Sequence, residues 1–267
     1  MTPSRFLRLV VLFGSMIAGI GAHAAGGTKY PLEPIDTDAR NLPSLQHGMK
    51  LYVNYCLGCH SMKFQRYERT ADDLAIPHQV ALDNVVFTGQ KIGELMVNGM
   101  NPERSKAWFG NPPPDLTMVT RVRGADWVYT YLKTFYIDEK RPFGVNNKVF
   151  ENVGMPHVLL PLQGTQRMGC IQKPVILPTG AEKRDPLVPG KPVTEEKCGE
   201  LYLEEGTGSL TPAEYDAAVY DLVNFMAYVA EPEKLERHRL GIFVLLFLII
   251  LGVFTHLLNR EYWKDIH

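Results

Sequence analysis

Cys56, Leu57, Gly58, Cys59 and His60 are spaced C-x-x-C-H, the attachment signature for c-type haem. On one helical turn, two thiols three residues apart can reach the two vinyl groups on one haem edge and form thioethers with them. The imidazole that follows directly then lies under the ring, where it can bind iron. Two other chemistries use such cysteines. A dithiol of thioredoxin type should follow a strand and open a helix, whereas this motif closes a segment, Leu45 to Tyr55, that reads as helix. A zinc site would have to recruit Cys170 and Cys198, which carry no second C-x-x-C pair. Haem attachment is the reading the spacing favours.

Haem iron takes a sixth ligand or keeps an open position for gas or peroxide. The chain offers 10 methionines, together with His47, His78 and His157. Met1 and Met16 fall in the N-terminal apolar segment, Met62 is too close to His60 to reach the opposite face, and Met226 sits in a long helical run. Met155, in Val153-Gly154-Met155-Pro156, and Met100, in Asn98-Gly99-Met100-Asn101-Pro102, both lie in turns that glycine and proline hold extended. Spacing alone leaves these two in contest.

Apolar spacing predicts helices over 44–60, 90–99, 124–137 and 212–230. Thr211-Pro212-Ala213-Glu214 supplies an N-cap, an N1 proline and an N3 acid for the last of them. No repeat and no strand run longer than a few residues stands out. The 19 prolines predict long irregular loops between helices. The longest, Leu160 to Gly208, is rich in proline, glycine and charge and reads as unable to form a core of its own.

Both ends are apolar. Arg5 and Arg8 precede an uncharged run from Leu9 to Ala22, followed by Ala22-His23-Ala24, which is the layout of a secretory signal peptide over 1–24. Fourteen residues of helix span only about 21 Å, short of a bilayer core of about 30 Å, so cleavage is expected rather than anchoring. The second run, Leu240 to Leu258, has His256 as its only titratable side chain and is about 28 Å long as a helix, enough to cross. Tyr262 and Trp263 follow at aromatic-belt depth. Lys234, Arg237 and Arg239 before this run outnumber Arg260 and Lys264 after it, which weakly favours the opposite orientation. The export signal outweighs that count. The expected organisation is an exported haem domain over 25–238 with a loop insertion at about 160–208, an anchor over 239–259 and a cytoplasmic tail over 260–267. Outside the cytoplasm a Cys170–Cys198 disulfide is permitted.

Composition narrows the class. With 267 residues the chain holds one large domain or two small ones, and 45% hydrophobic against 21% charged residues excludes disorder. Lysine and arginine total 28 against 29 acids, so the cation excess that nucleic-acid binding requires is missing. Four cysteines are too few for a disulfide scaffold.

The segment Gly48 to Met62, the run Pro113-Pro114-Asp115-Leu116-Thr117, Arg121-Val122-Arg123-Gly124, Gly154-Met155-Pro156 and Ala230-Glu231-Pro232-Glu233 occur in one order before the anchor. In these motifs the chain resembles the cytochrome c1 family, the haem subunit of ubiquinol–cytochrome c reductase (cytochrome bc1) complexes, of bacterial type. The resemblance implies a mainly α, class I cytochrome c-like haem domain with long loops and one C-terminal transmembrane helix. It implies one covalent haem c on Cys56 and Cys59, with His60 as proximal ligand and Met155, rather than Met100, as distal ligand. Pro114 would line the pocket, and Arg121 and Arg123 would face a haem propionate, where otherwise they would be a solvated charge pair. The implied role is electron transfer from a Rieske iron–sulfur protein to a c-type cytochrome, beside a cytochrome b and membrane lipid, with no nucleic acid. The chain would be a non-catalytic carrier within an oxidoreductase complex, in the bacterial inner membrane with its haem domain periplasmic. The alternative is a free-standing anchored cytochrome feeding a terminal oxidase.

Overall fold

The computed structural model describes residues 30–264; the expected signal peptide and the last three residues of the tail lie outside them. Helix α1 (Leu42–Leu51) starts on Asn41, whose side chain accepts from the Ser44 N–H, and runs into a π-helical turn, Tyr52–Cys56. After the haem motif come β1 (Met62–Arg66), α2 (Tyr67–Asp73), α3 (His78–Asn84), β2 (Leu95–Met96), α4 (Pro102–Phe109), α5 (Val119–Arg123) and α6 (Ala125–Lys133). The remainder is β3 (Phe135–Ile137), β4 (Val145–Asn147), α7 (Leu160–Gln163), β5 (Gln166–Pro174), β6 (Thr194–Leu203), α8 (Pro212–Ala230) and α9 (Lys234–Tyr262).

The core forms where α1, α5 and α6 pack on α8. Leu45, Met49 and Tyr52 from α1 and its π-turn meet Leu222, Val223 and Phe225 of α8, all nearly inaccessible to water. Gly48 sets this crossing: a Cβ there would lie 2.0 Å from the Asp221 carbonyl oxygen and 2.6 Å from Phe225 Cβ. Gly48→Ala is therefore expected to force the two helices apart and destabilise the domain by about 1–3 kcal/mol or more. Denaturant unfolding of the haem-bound domain measures this, and an unchanged midpoint would mean that the crossing can slide.

Helix α8 opens as the sequence predicts. Glu214 Oε2 accepts the Thr211 N–H at 2.8 Å, the Thr211 hydroxyl accepts the Glu214 N–H, and Pro212 occupies the first turn. Three expectations need correction. Residues 90–99 are not helical: Leu95–Met96 pair antiparallel with β1, and the Ile92 and Glu94 carbonyls accept the first N–H groups of α2. The helix expected over 124–137 ends at Lys133, because Phe135–Ile137 pairs antiparallel with Val145–Asn147. The loop expected over 160–208 contains the longest strands, with β5 and β6 paired antiparallel from Gln166↔Leu203 to Pro174↔Thr194 and a one-residue register shift between Gly169 and Cys170. A Cys170–Cys198 disulfide crosses that hairpin, which removes these cysteines from any zinc site.

Three residues separate α8 from α9. Glu231 pairs with Arg121 of α5 at 3.2 Å and with Arg237 of α9, while Glu233 pairs with Arg69 at 2.7 Å. Arg69 also binds Asp73, whose carboxylate accepts the Tyr228 hydroxyl. Among the described residues α9 is the one helix long and apolar enough to cross a membrane, with a mean hydropathy of 2.7 over its most apolar 18 residues.

Candidate haem-attachment site

The π-turn delivers the motif. Leu57 N–H donates to Tyr52 O, five residues back, at 2.9 Å; Cys59 and His60 N–H then both donate to Cys56 O, at 3.0 and 2.8 Å. The widened turn leaves Cys56 buried against the core and Cys59 half-buried, neither of them in a disulfide. Burial, reinforced by Cys59, pushes the Cys56 thiol up to about 12. The fully buried Tyr52 donates its hydroxyl to His60 O at 2.7 Å, and burial raises its pKa, so it stays a donor.

The three prolines 112–114 offer carbonyls without N–H groups. Pro114 O lies 2.7 Å from His60 Nδ1, which donates to it, so Nε2 keeps its lone pair for a metal. Burial lowers the His60 pKa, opposed by the Pro114 carbonyl and Asp115, and this favours the neutral imidazole that ligates. The following segment runs alongside residues 61–64. Leu116 N–H donates to Ser61 O, Lys63 N–H to Asp115 Oδ2 at 2.7 Å, and Phe64 N–H to Thr117 Oγ1. Asn98 fastens a third strand of chain to the motif, with Nδ2 donating to Leu57 O at 2.9 Å and its N–H to Ser61 Oγ at 3.0 Å. The Met100 N–H donates to Asn98 Oδ1 at 3.1 Å.

Met155 lies in the loop between β4 and α7, packed against the cluster of Phe135, Val145 and Val153. Gly154 passes under α4, where a Cβ would lie 2.8 Å from Phe109 O. The Tyr131 hydroxyl donates to Met155 Sδ at 3.4 Å. Tyr131 packs against both the Met155 cluster and the main core that contains Cys56 and Leu57. It belongs to a stripe of residues four apart. Arg123 sits over the Trp127 ring at 5.2 Å, Trp127 stacks on Tyr131 at 5.0 Å, and Tyr131 meets Phe135 edge-on at 5.1 Å. Arg121, by contrast, turns to Glu231.

The histidine candidates are engaged elsewhere. His47 Nδ1 pairs with Asp221 and His78 Nε2 with Asp72. His157 stacks on Phe135 at 4.9 Å and bonds Gln163 through Nε2, and burial pushes its pKa down to about 4. Sequence reasoning missed Tyr52, Asn98, Trp127 and Tyr131. The i, i+4 aromatic spacing of Trp127, Tyr131 and Phe135 was the visible signal for two of them.

Two thiols beside an imidazole whose second nitrogen is already committed are the attachment chemistry of a c-type cytochrome. Comparison with known proteins narrows this. Residues 191–266 match the Cytochrome C1 family. Cytochrome c1 of Allochromatium vinosum is 44% identical over 260 residues, covering 97% of this chain and 99% of that one. A protein named ammonia monooxygenase gamma subunit, from Nitrosomonas europaea, is 40% identical over 98% of each chain. Cytochrome b/c1 of Bradyrhizobium diazoefficiens is 24% identical over 84% of this chain and 33% of its own length. The chain belongs to the cytochrome c1 family. Membership implies a covalent haem c and an electron-transfer role in a cytochrome bc1 complex.

Proposed function

We propose that the chain is the haem subunit of a bacterial ubiquinol–cytochrome c reductase, taking electrons from a Rieske iron–sulfur protein and passing them to a c-type cytochrome. When bound, haem c supplies one-electron chemistry at its iron. Cys56 and Cys59 would tether one haem, and His60 and Met155 would supply the nitrogen and sulfur that hold its iron. The His60–Pro114 hydrogen bond carries this reading, since it fixes the ring and frees Nε2. Histidine with methionine favours the reduced state, and the Tyr131 hydroxyl, by drawing on the sulfur, acts in the same direction. Arg123, held on Trp127, faces a propionate, whereas Arg121, expected beside it, is engaged by Glu231.

The domain over 25–238 is periplasmic once residues 1–24 are removed. Residues 239–259 make a single pass through the inner membrane, with a short cytoplasmic tail over 260–267. Gly241 and Gly252 permit close approach of other membrane helices, and an intramembrane His256 favours a protein-facing setting. The expected partner there is a cytochrome b. Purification in mild detergent is expected to bring down a cytochrome b and a Rieske protein, in a preparation that reduces a c-type cytochrome with quinol. Inhibitors of quinol oxidation should stop it. Purification alone, with reductase activity surviving deletion, would favour the free-standing carrier. Co-purification with oxygenase subunits instead would overturn the assignment.

A further inference from the structure

Arg141 lies in the turn between β3 and β4 and reaches across to Asn152. Its Nη1 donates to Asn152 Oδ1 and its Nη2 to Asn152 O, both at 3.0 Å. Its Nε is buried and makes no hydrogen bond among the described residues, so both guanidinium contacts go to this one residue. Asn152 has φ +62°, in the left-handed region that a side chain occupies at a cost unless it is held there. A further bond comes from the opposite side. Asn152 N–H donates to Asn146 Oδ1 at 2.9 Å, while Asn146 Nδ2 donates to Asp138 Oδ2 at 3.1 Å. Met155 follows three residues later. Between them Val153 is buried and Gly154 has no clearance beneath Phe109 O, so the chain direction chosen at Asn152 passes to Met155 without slack.

We infer that Arg141 is a positioning residue for the thioether: by clasping Asn152 in its left-handed conformation it keeps Met155 on the iron against competing ligands. This rests on the reading of Met155 as the axial ligand. Were Arg141 only a surface brace for the hairpin, its loss would lower the melting temperature and leave ligand competition untouched.

The test uses the full-length haem-bound protein in detergent, with imidazole as probe of the ferric iron and the near-infrared sulfur-to-iron band as a second readout. Arg141→Gln is expected to bind imidazole about tenfold more tightly, the scale set by losing paired charge-assisted bonds. Arg141→Lys, keeping one donor, should fall between it and the unaltered protein. Asn152→Ala should match or exceed Arg141→Gln, while Asn152→Gly, which adopts the positive φ freely and keeps the carbonyl contact, should stay closer to the unaltered protein. If Arg141→Gln does not accumulate, Arg141→Lys and the Asn152 pair carry the comparison. Unchanged imidazole affinity in Arg141→Gln and Asn152→Ala, with or without a lower melting temperature, overturns the inference. A Met155→Leu control that keeps its near-infrared band overturns the axial reading itself, and the inference with it.

Discussion

Cys56→Ala is expected to leave most of the chain without haem after denaturation, and Cys56→Ala combined with Cys59→Ala to leave none. The backbone has little reason to change, because the contacts of Cys56 that shape the turn are those of its carbonyl with the Cys59 and His60 N–H groups. Alanine preserves these, and what it removes is the sulfur. With both sulfurs gone, axial bonds alone would retain the group, and these dissociate in denaturant where a thioether does not; the single variant keeps only the Cys59 tether. Haem staining on a denaturing gel measures the loss. A pyridine haemochrome assay on the unaltered protein should give one haem per chain, and zero or two would contradict the single C-x-x-C-H motif. Full retention in the double variant would refute thioether attachment here.

Met155→Leu has the next largest expected effect. Leucine nearly conserves the volume packed among Phe135, Val145 and Val153, so the loop should survive while the sulfur disappears. The near-infrared band should vanish, and the potential should fall by on the order of 0.2 V, within the roughly 0.8 V that axial ligands command. Met100→Leu should change neither, since the family resemblance gives the ligand role to Met155. The reverse pattern would transfer the ligand role to Met100.

The attachment residues were legible because covalent chemistry fixes their types and spacing within five positions. The α8 capping box was legible for a similar reason, since Thr211 and Glu214 satisfy each other locally. Where partners are distant, local pattern failed. Ile92, Leu95 and Met96 have helical spacing, but their backbone is claimed by β1 and by the first turn of α2. The β5–β6 hairpin was missed because its strands are largely exposed and lack a clean alternation of apolar and polar residues; its coherence comes from the ladder and the disulfide. The choice of Met155 over Met100 came from resemblance. The Tyr131 contact that distinguishes Met155 spans 24 residues of chain.

The junction between α8 and α9 bears on kinetics as well as architecture. Three residues, one of them proline, with both acids drawn into ion pairs, make a stub rather than a leash. Such exposed pairs are individually weak and are screened by salt, so the stiffness resides mainly in the shortness of the connection. Anchored in a bilayer, a domain on this mount would sweep a narrow cone instead of searching a hemisphere. On the proposed function, electron delivery and collection would then fall to partners that travel to it, and turnover would depend on their diffusion and concentration rather than on excursions of the domain itself.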